Sequence, residues 1–219
     1  KEKKKVVTGA QDMHSDPSKV VELPNGNLRI YEKQKYYPPI GSLLSSKGDR
    51  EKDRYAPAFD FKECQNITLN NVTVHHALGM AYLFERSENI KIRGCKVVLP
   101  PNSDRVISST ADATHFANCK GDILIEGCTF ENMLDDGTNV HGTYVEVNKI
   151  IDSKTIRVAL KHFEQLGFKF AAPGDEVWFI KYPSPARAET NTVTKINIIN
   201  ETYMDLTFAN AIPSDLKTG

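Results

Sequence analysis

Two short segments carry the strongest chemical signal in this sequence. Asp112-Ala113-Thr114-His115-Phe116 and Asp136-Gly137-Thr138-Asn139-Val140 share one pattern: Asp, small, Thr, His or Asn, apolar. They begin 24 residues apart. Stacked as neighbouring parallel strands, equivalent positions lie about 4.8 Å apart, which makes Asp112 and Asp136 neighbours on one face. Asp135 precedes Asp136 and must project in another direction. Three carboxylates then converge on one patch. Stability does not explain them, because stacked like charges repel and raise a pKa. No Arg or Lys adjoins them in sequence, though Arg105 could fold back. Acid–base hydrolysis suits such a cluster. An inverting glycosidase holds its acid and base about 6.5–9.5 Å apart, with room for a water. Two stacked carboxylates could share that water while the offset third protonates the glycosidic oxygen. Clustered carboxylates also bind calcium, but no Asp-rich nonapeptide repeat or EF-hand loop is present.

Neighbouring polar residues are candidates for contact with a sugar. His115 and Asn139 occupy equivalent rungs, and His141 follows the Asp-Asp pair closely. Arg105 could bind a hydroxyl or a charged substituent. Thr114 and Thr138 share a rung and suit a hydroxyl ladder. No cofactor is expected, and no metal is assigned to the site. Trp178 reads as core.

The elements that position these residues follow from an internal repeat. Asn66–Val74, Asn89–Val97 and Asp122–Phe130 each place apolar residues at relative positions 0, +2, +5 and +7. Each has Asn or Gly at +4: Asn71, Gly94 and Gly127. Alternation marks a half-buried strand, and Asn or Gly tolerates a left-handed corner. Strand, corner, strand, repeated at this period, predicts a parallel β-helix whose layers bury one another. Cys95 and Cys128 share a rung with Val72, and Cys64 and Cys119 share one with Ser87. Packing therefore explains the four cysteines better than disulfides or zinc. The repeats start 23 and 33 residues apart (67 to 90, 90 to 123). The longer spacing is expected to bulge outward at Leu99–Asp104, as a loop able to wall a cleft.

Residues 55–142 thus form the predicted coils that carry the site. Residues 143–219 read as a small antiparallel β-barrel, with strands at Tyr144–Val147, Thr155–Leu160, Glu176–Lys181, Thr192–Ile199 and Tyr203–Phe208. Residues 1–54 read as strands and loops leading in, with a hairpin around Pro24-Asn25-Gly26-Asn27. The fold class is all-β. The 219 residues carry 28 basic and 28 acidic side chains, a balance that argues against a nucleic-acid partner. No stretch approaches the roughly 18 apolar residues of a membrane span. The chain opens on Lys1 without an initiator Met and reads as a processed or excised piece.

Ser108–Phe116, Cys119-Lys120-Gly121 and Asp135–Gly142 resemble glycoside hydrolase family 110, bacterial exo-α-1,3-galactosidases that include enzymes acting on the blood-group B antigen. The resemblance implies a right-handed parallel β-helix with an inserted or appended β-barrel, an inverting mechanism and no metal. It maps the family's acidic residues onto Asp112, Asp135 and Asp136. The single-Asp plus Asp-Asp layout also occurs in polygalacturonases of family 28, and by that analogy Asp135 is the acid while Asp112 and Asp136 activate water. The Gly-His-Gly and Arg-Ile-Lys motifs of family 28 are absent. The implied partner is a glycan ending in α-galactose, and the implied location periplasmic or secreted. Homo-oligomerisation stays open. Family members are longer, and the later coils that complete their cleft are missing from this sequence. The alternatives are another β-helix hydrolase of the polygalacturonase kind and a non-catalytic glycan-binding β-helix.

Overall fold

The protein was analysed as a computed structural model, which describes residues 17–33, 37, 39–43, 56–162, 165–180 and 187–219. Among them are seventeen β-strands and no α-helix. The predicted hairpin forms β1 (Lys19–Glu22) and β2 (Leu28–Tyr31). Gly26 closes it at φ 78°.

Residues 59–141 build three parallel sheets, which the chain visits in rotation. The first contains β3 (Phe59–Lys62), β6 (Tyr82–Glu85), β9 (Thr114–Ala117) and β12 (Thr138–His141). The second contains β4 (Gln65–Asn70), β7 (Glu88–Arg93) and β10 (Lys120–Glu126). The third contains β5 (Thr73–Val74), β8 (Lys96–Val97) and β11 (Thr129–Phe130). The register is the one the repeat predicts: Ile67, Ile90 and Ile123 align, as do Leu69, Ile92 and Ile125. Asn71, Gly94 and Gly127 turn the corner at φ 56°, 59° and 62°. At Gly94 a Cβ would also overlap the Asn71 side-chain oxygen. A second row of left-handed corners, Glu63, Arg86 and Asn118, precedes the second sheet.

The longer spacing resolves into two insertions. Val74 pairs with Val97 and Ala77 with Ser109. Three steps of chain in one layer thus face twelve in the next, and nine residues leave the stack in a loop. The tenth is a bulge between Lys120 and Ile123, where Gly121 takes φ 66°.

Between the sheets, Phe84, Phe116, Tyr82, Ile90 and Ile92 are fully buried. Phe61, Phe84 and Phe116 stack in one column, with centroids 5.0 and 4.9 Å apart. Each such side chain contributes about 1.5–3 kcal/mol through burial. All four cysteines are free thiols. Cys95 is fully buried and Cys119 and Cys128 pack against the same core. Burial pushes the Cys119 thiol up.

The remaining strands form one antiparallel sheet in the order β13 (Glu146–Ile150), β14 (Thr155–Ala159), β17 (Tyr203–Phe208), β16 (Arg187–Ile198), β15 (Glu176–Ile180). Val158, Val193, Met204, Leu206 and Phe208 form its core. Trp178 departs from expectation: it is 38% exposed, and its indole N–H donates to Glu176 at 2.7 Å. The strand's period of two gives the core to Val177 and Phe179 instead.

The second corner row ties the two parts together. Arg86 Nη2 donates to Asp175 at 2.9 Å, and Nη1 donates to the Phe170 carbonyl at 3.1 Å. Asn118 donates to that carbonyl at 3.3 Å, and Lys169 pairs with Glu63 at 2.8 Å. Lys120 also reaches Asp175, at 2.5 Å. Burial pushes the Asp175 carboxyl up. Lys120, Arg86 and the Ala172 N–H outweigh it and hold the group below the usual carboxylate range.

Candidate active site

The predicted carboxylates meet. Asp112 lies just before β9, and Asp135 and Asp136 just before β12. The two strands pair in parallel, Thr114 against Thr138 and His115 against Asn139. The ladder extends upstream, since the Ala113 N–H donates to the Asp136 carbonyl at 2.9 Å. Asp136 therefore stacks directly on Asp112. Oxygens from Asp112, Asp135 and Asp136 all lie within 4.8 Å of one another. Phe116, locked in its aromatic column, fixes the depth of β9 and so of Asp112.

The three acids differ in environment. Asp112 is 2% exposed, whereas Asp135 and Asp136 are exposed. Buried carboxylates need hydrogen-bond partners, and Asp112 has two. The Asp136 N–H donates to Oδ1 at 3.3 Å, and His115 Nδ1 lies 2.6 Å from Oδ2. Thr114, also buried, donates to the Thr138 hydroxyl at 2.9 Å, the expected ladder.

The sugar-contact candidates occupy different surroundings. His115 is largely buried, and its Nε2 lies 2.8 Å from Nε2 of His141. The rings meet edge-on at 4.7 Å. His141 is exposed and bonds through Nδ1 to the Gly142 carbonyl at 3.0 Å. Asn139 sits half-buried in register with His115. Arg105 lies exposed on the nine-residue loop beside His76. Burial, then the Arg105 charge, holds the His76 ring below its ordinary value despite a Ser108 backbone hydrogen bond. The direct links from Asp112 to His115 and from His115 to His141 are absent from the sequence reading. A signal for the second existed. The histidines are 26 residues apart, one 24-residue layer plus two, and two residues along a strand return to the same face.

An oxygen cluster of this spacing is also wide enough to admit a cation. Both Asp112 oxygens, however, are already engaged within the protein, Oδ1 by the Asp136 N–H and Oδ2 by His115 Nδ1.

The fold and the cluster define an all-β protein with an acidic site at the end of a parallel stack. Residues 155–219 match the GLAA-B beta-barrel domain II family, and residues 1–44 match GLAA-B beta-barrel domain I. The first 44 residues fall within the stretch read from sequence only as strands and loops. The chain is 38% identical over 158 residues to alpha-1,3-galactosidase A of Shewanella woodyi, covering 72% of this chain and 26% of that protein. It is 34% identical over 170 residues to alpha-1,3-galactosidase B of Akkermansia muciniphila, covering 78% and 21%. It is 30% identical over 196 residues to alpha-1,3-galactosidase A of Bacteroides fragilis, covering 90% and 32%. The chain belongs to the alpha-1,3-galactosidase A/B family, in agreement with its resemblance to glycoside hydrolase family 110. It spans about a quarter of the length of these relatives.

Proposed function

We propose that this chain carries the catalytic carboxylates of an inverting exo-α-1,3-galactosidase, acting on glycans that end in α-1,3-linked galactose. The observation that carries this reading is the meeting of Asp112, Asp135 and Asp136 from two stacked layers, in a chain related to α-1,3-galactosidases. Asp112 and Asp136 hold and activate the water. Asp135, offset by one residue, protonates the departing glycosidic oxygen. The oxygen spacing is shorter than the roughly 6.5–9.5 Å of an inverting pair. With three acids, the water sits against a stacked pair rather than between two opposed groups.

The proposed architecture is a right-handed parallel β-helix over residues 55–142, with residues 143–219 as an appended or inserted antiparallel β-barrel module. Rotation of the chain through three parallel sheets supports the first part, and the barrel-domain match supports the second. From the class of substrate we infer a periplasmic or extracellular location.

The test is hydrolysis of Gal-α-1,3-Gal and the branched B trisaccharide, followed by NMR of the released sugar. β-Galactose is expected first, and Asp135→Asn should abolish it. Initial release of α-galactose would overturn inversion. Turnover that survives Asp135→Asn would overturn the assignment of the acid.

A further inference from the structure

Asp112, His115 and His141 form a chain of hydrogen bonds whose hydrogens can be counted. The Gly142 carbonyl only accepts, so His141 Nδ1 carries a hydrogen. A neutral His141 then turns a bare Nε2 toward His115 Nε2, 2.8 Å away. That contact needs one hydrogen between the rings. Three arrangements supply it. In one, His115 is an imidazolium donating to ionised Asp112 and to His141. In another, Asp112 is protonated and donates to His115 Nδ1, while neutral His115 donates from Nε2. In the last, His141 is the imidazolium and neutral His115 donates from Nδ1 to ionised Asp112. All three hold the same number of hydrogens, one more than ionised Asp112 with two neutral imidazoles. They interconvert by shifts of hydrogens within the two existing bonds.

We infer that Asp112, His115 and His141 form a proton relay that resets the site after each hydrolysis. The inference rests on the galactosidase reading. In that reaction the bond from the anomeric carbon to the glycosidic oxygen breaks, and a bond to the water oxygen forms. Asp135 gives its proton to the departing oxygen. The water gives one proton to the Asp112–Asp136 pair. Each turnover thus ends with the base protonated and Asp135 ionised. One proton must leave the base and another must reach Asp135 from solvent. Asp112 is buried away from bulk solvent, and its Oδ2 is bonded to His115 Nδ1, which gives the proton a route out besides exposed Asp136. His115 accepts it, His141 receives it in turn, and His141 is exposed beside an open cavity of about 820 Å³. The three contacts fit a relay that holds this extra hydrogen. His141 and His115 act through Asp112 and position its proton, so neither is required to touch the sugar.

Two measurements on the full chain test the relay. The first is side-chain 15N–1H NMR without substrate at about pH 6, below the ordinary histidine pKa, with His115→Gln and His141→Gln for assignment. Both Nδ1 atoms should carry hydrogens, and a third hydrogen should be shared between the Nε2 atoms. Two bare Nε2 atoms would overturn the relay whatever the enzyme does. The second is turnover of Gal-α-1,3-Gal. His141→Gln should lower kcat by about 10²-fold with KM changed less than about twofold. Added imidazole should restore kcat in this variant and not in Asp112→Asn. A raised KM at unchanged kcat, or a kcat loss that imidazole does not recover, would overturn the inference. Wild-type chain that releases no galactose would instead overturn the galactosidase reading.

Discussion

Asp112 shows how a buried carboxylate is kept ready. At 2% exposure it survives because a backbone N–H and an imidazole serve its two oxygens. Substitutions at this position should separate function from stability. Asp112→Asn keeps an acceptor oxygen and should leave the melting temperature within a few degrees, while galactose release falls by about 10³-fold. Asp112→Ala leaves the Asp136 N–H and His115 Nδ1 without their partner and should cost a further ~1–3 kcal/mol in stability. Thermal unfolding and the galactose assay on both variants check this. On the proposed reading, in which the acids act on protons and water, chelation with EDTA should leave turnover unchanged. The stacking of Asp136 on Asp112 was legible because a five-residue pattern recurs after 24 residues. The bond from His115 to Asp112 was not, because it depends on a rotamer that no periodicity marks.

Strands deliver these residues through their buried partners. Phe116 closes the column of Phe61 and Phe84 and holds β9 at the depth that places Asp112. Phe116→Ala should cost about 3–5 kcal/mol, and activity should fall even at temperatures where the variant is folded. The corners allow a sharper comparison. Gly94 and Gly127 share a left-handed backbone, so alanine is strained at both, by about 1–3 kcal/mol. Only at Gly94 does the new Cβ also strike the Asn71 oxygen. Urea unfolding should therefore rank Gly94→Ala as the less stable variant. Asn71, Gly94 and Gly127 announced their corner by residue type. Glu63 and Arg86 turn one just as tightly, yet Glu and Arg carry no compositional mark of it. Tertiary bonds to residues 169–175 compensate their strain.

Across the whole molecule, one carboxylate joins the parallel stack to the antiparallel sheet. Asp175 accepts from Arg86, Lys120 and Ala172. Because these partners depress its folded pKa, the stabilisation is complete above the unfolded value of about 3.9. It is lost as pH falls through the lower folded value. Asp175→Asn should lower the melting temperature at neutral pH by several degrees, about 1–3 kcal/mol. The gap to wild type should close as pH drops below about 3.9. Strand positions in the antiparallel sheet were legible from turn residues and alternation, as at Tyr203–Phe208. The clamp was not, because Arg86 and Asp175 are 89 residues apart and neither segment carries a pattern naming the other. The nine-residue loop between Val97 and Ser109 has a different consequence. Pairing resumes at Ala77 and Ser109 as though the insertion were absent, so the stack is indifferent to what lies between. The segment can therefore change in length or composition without renegotiating the scaffold, which makes it the freest stretch of the parallel stack.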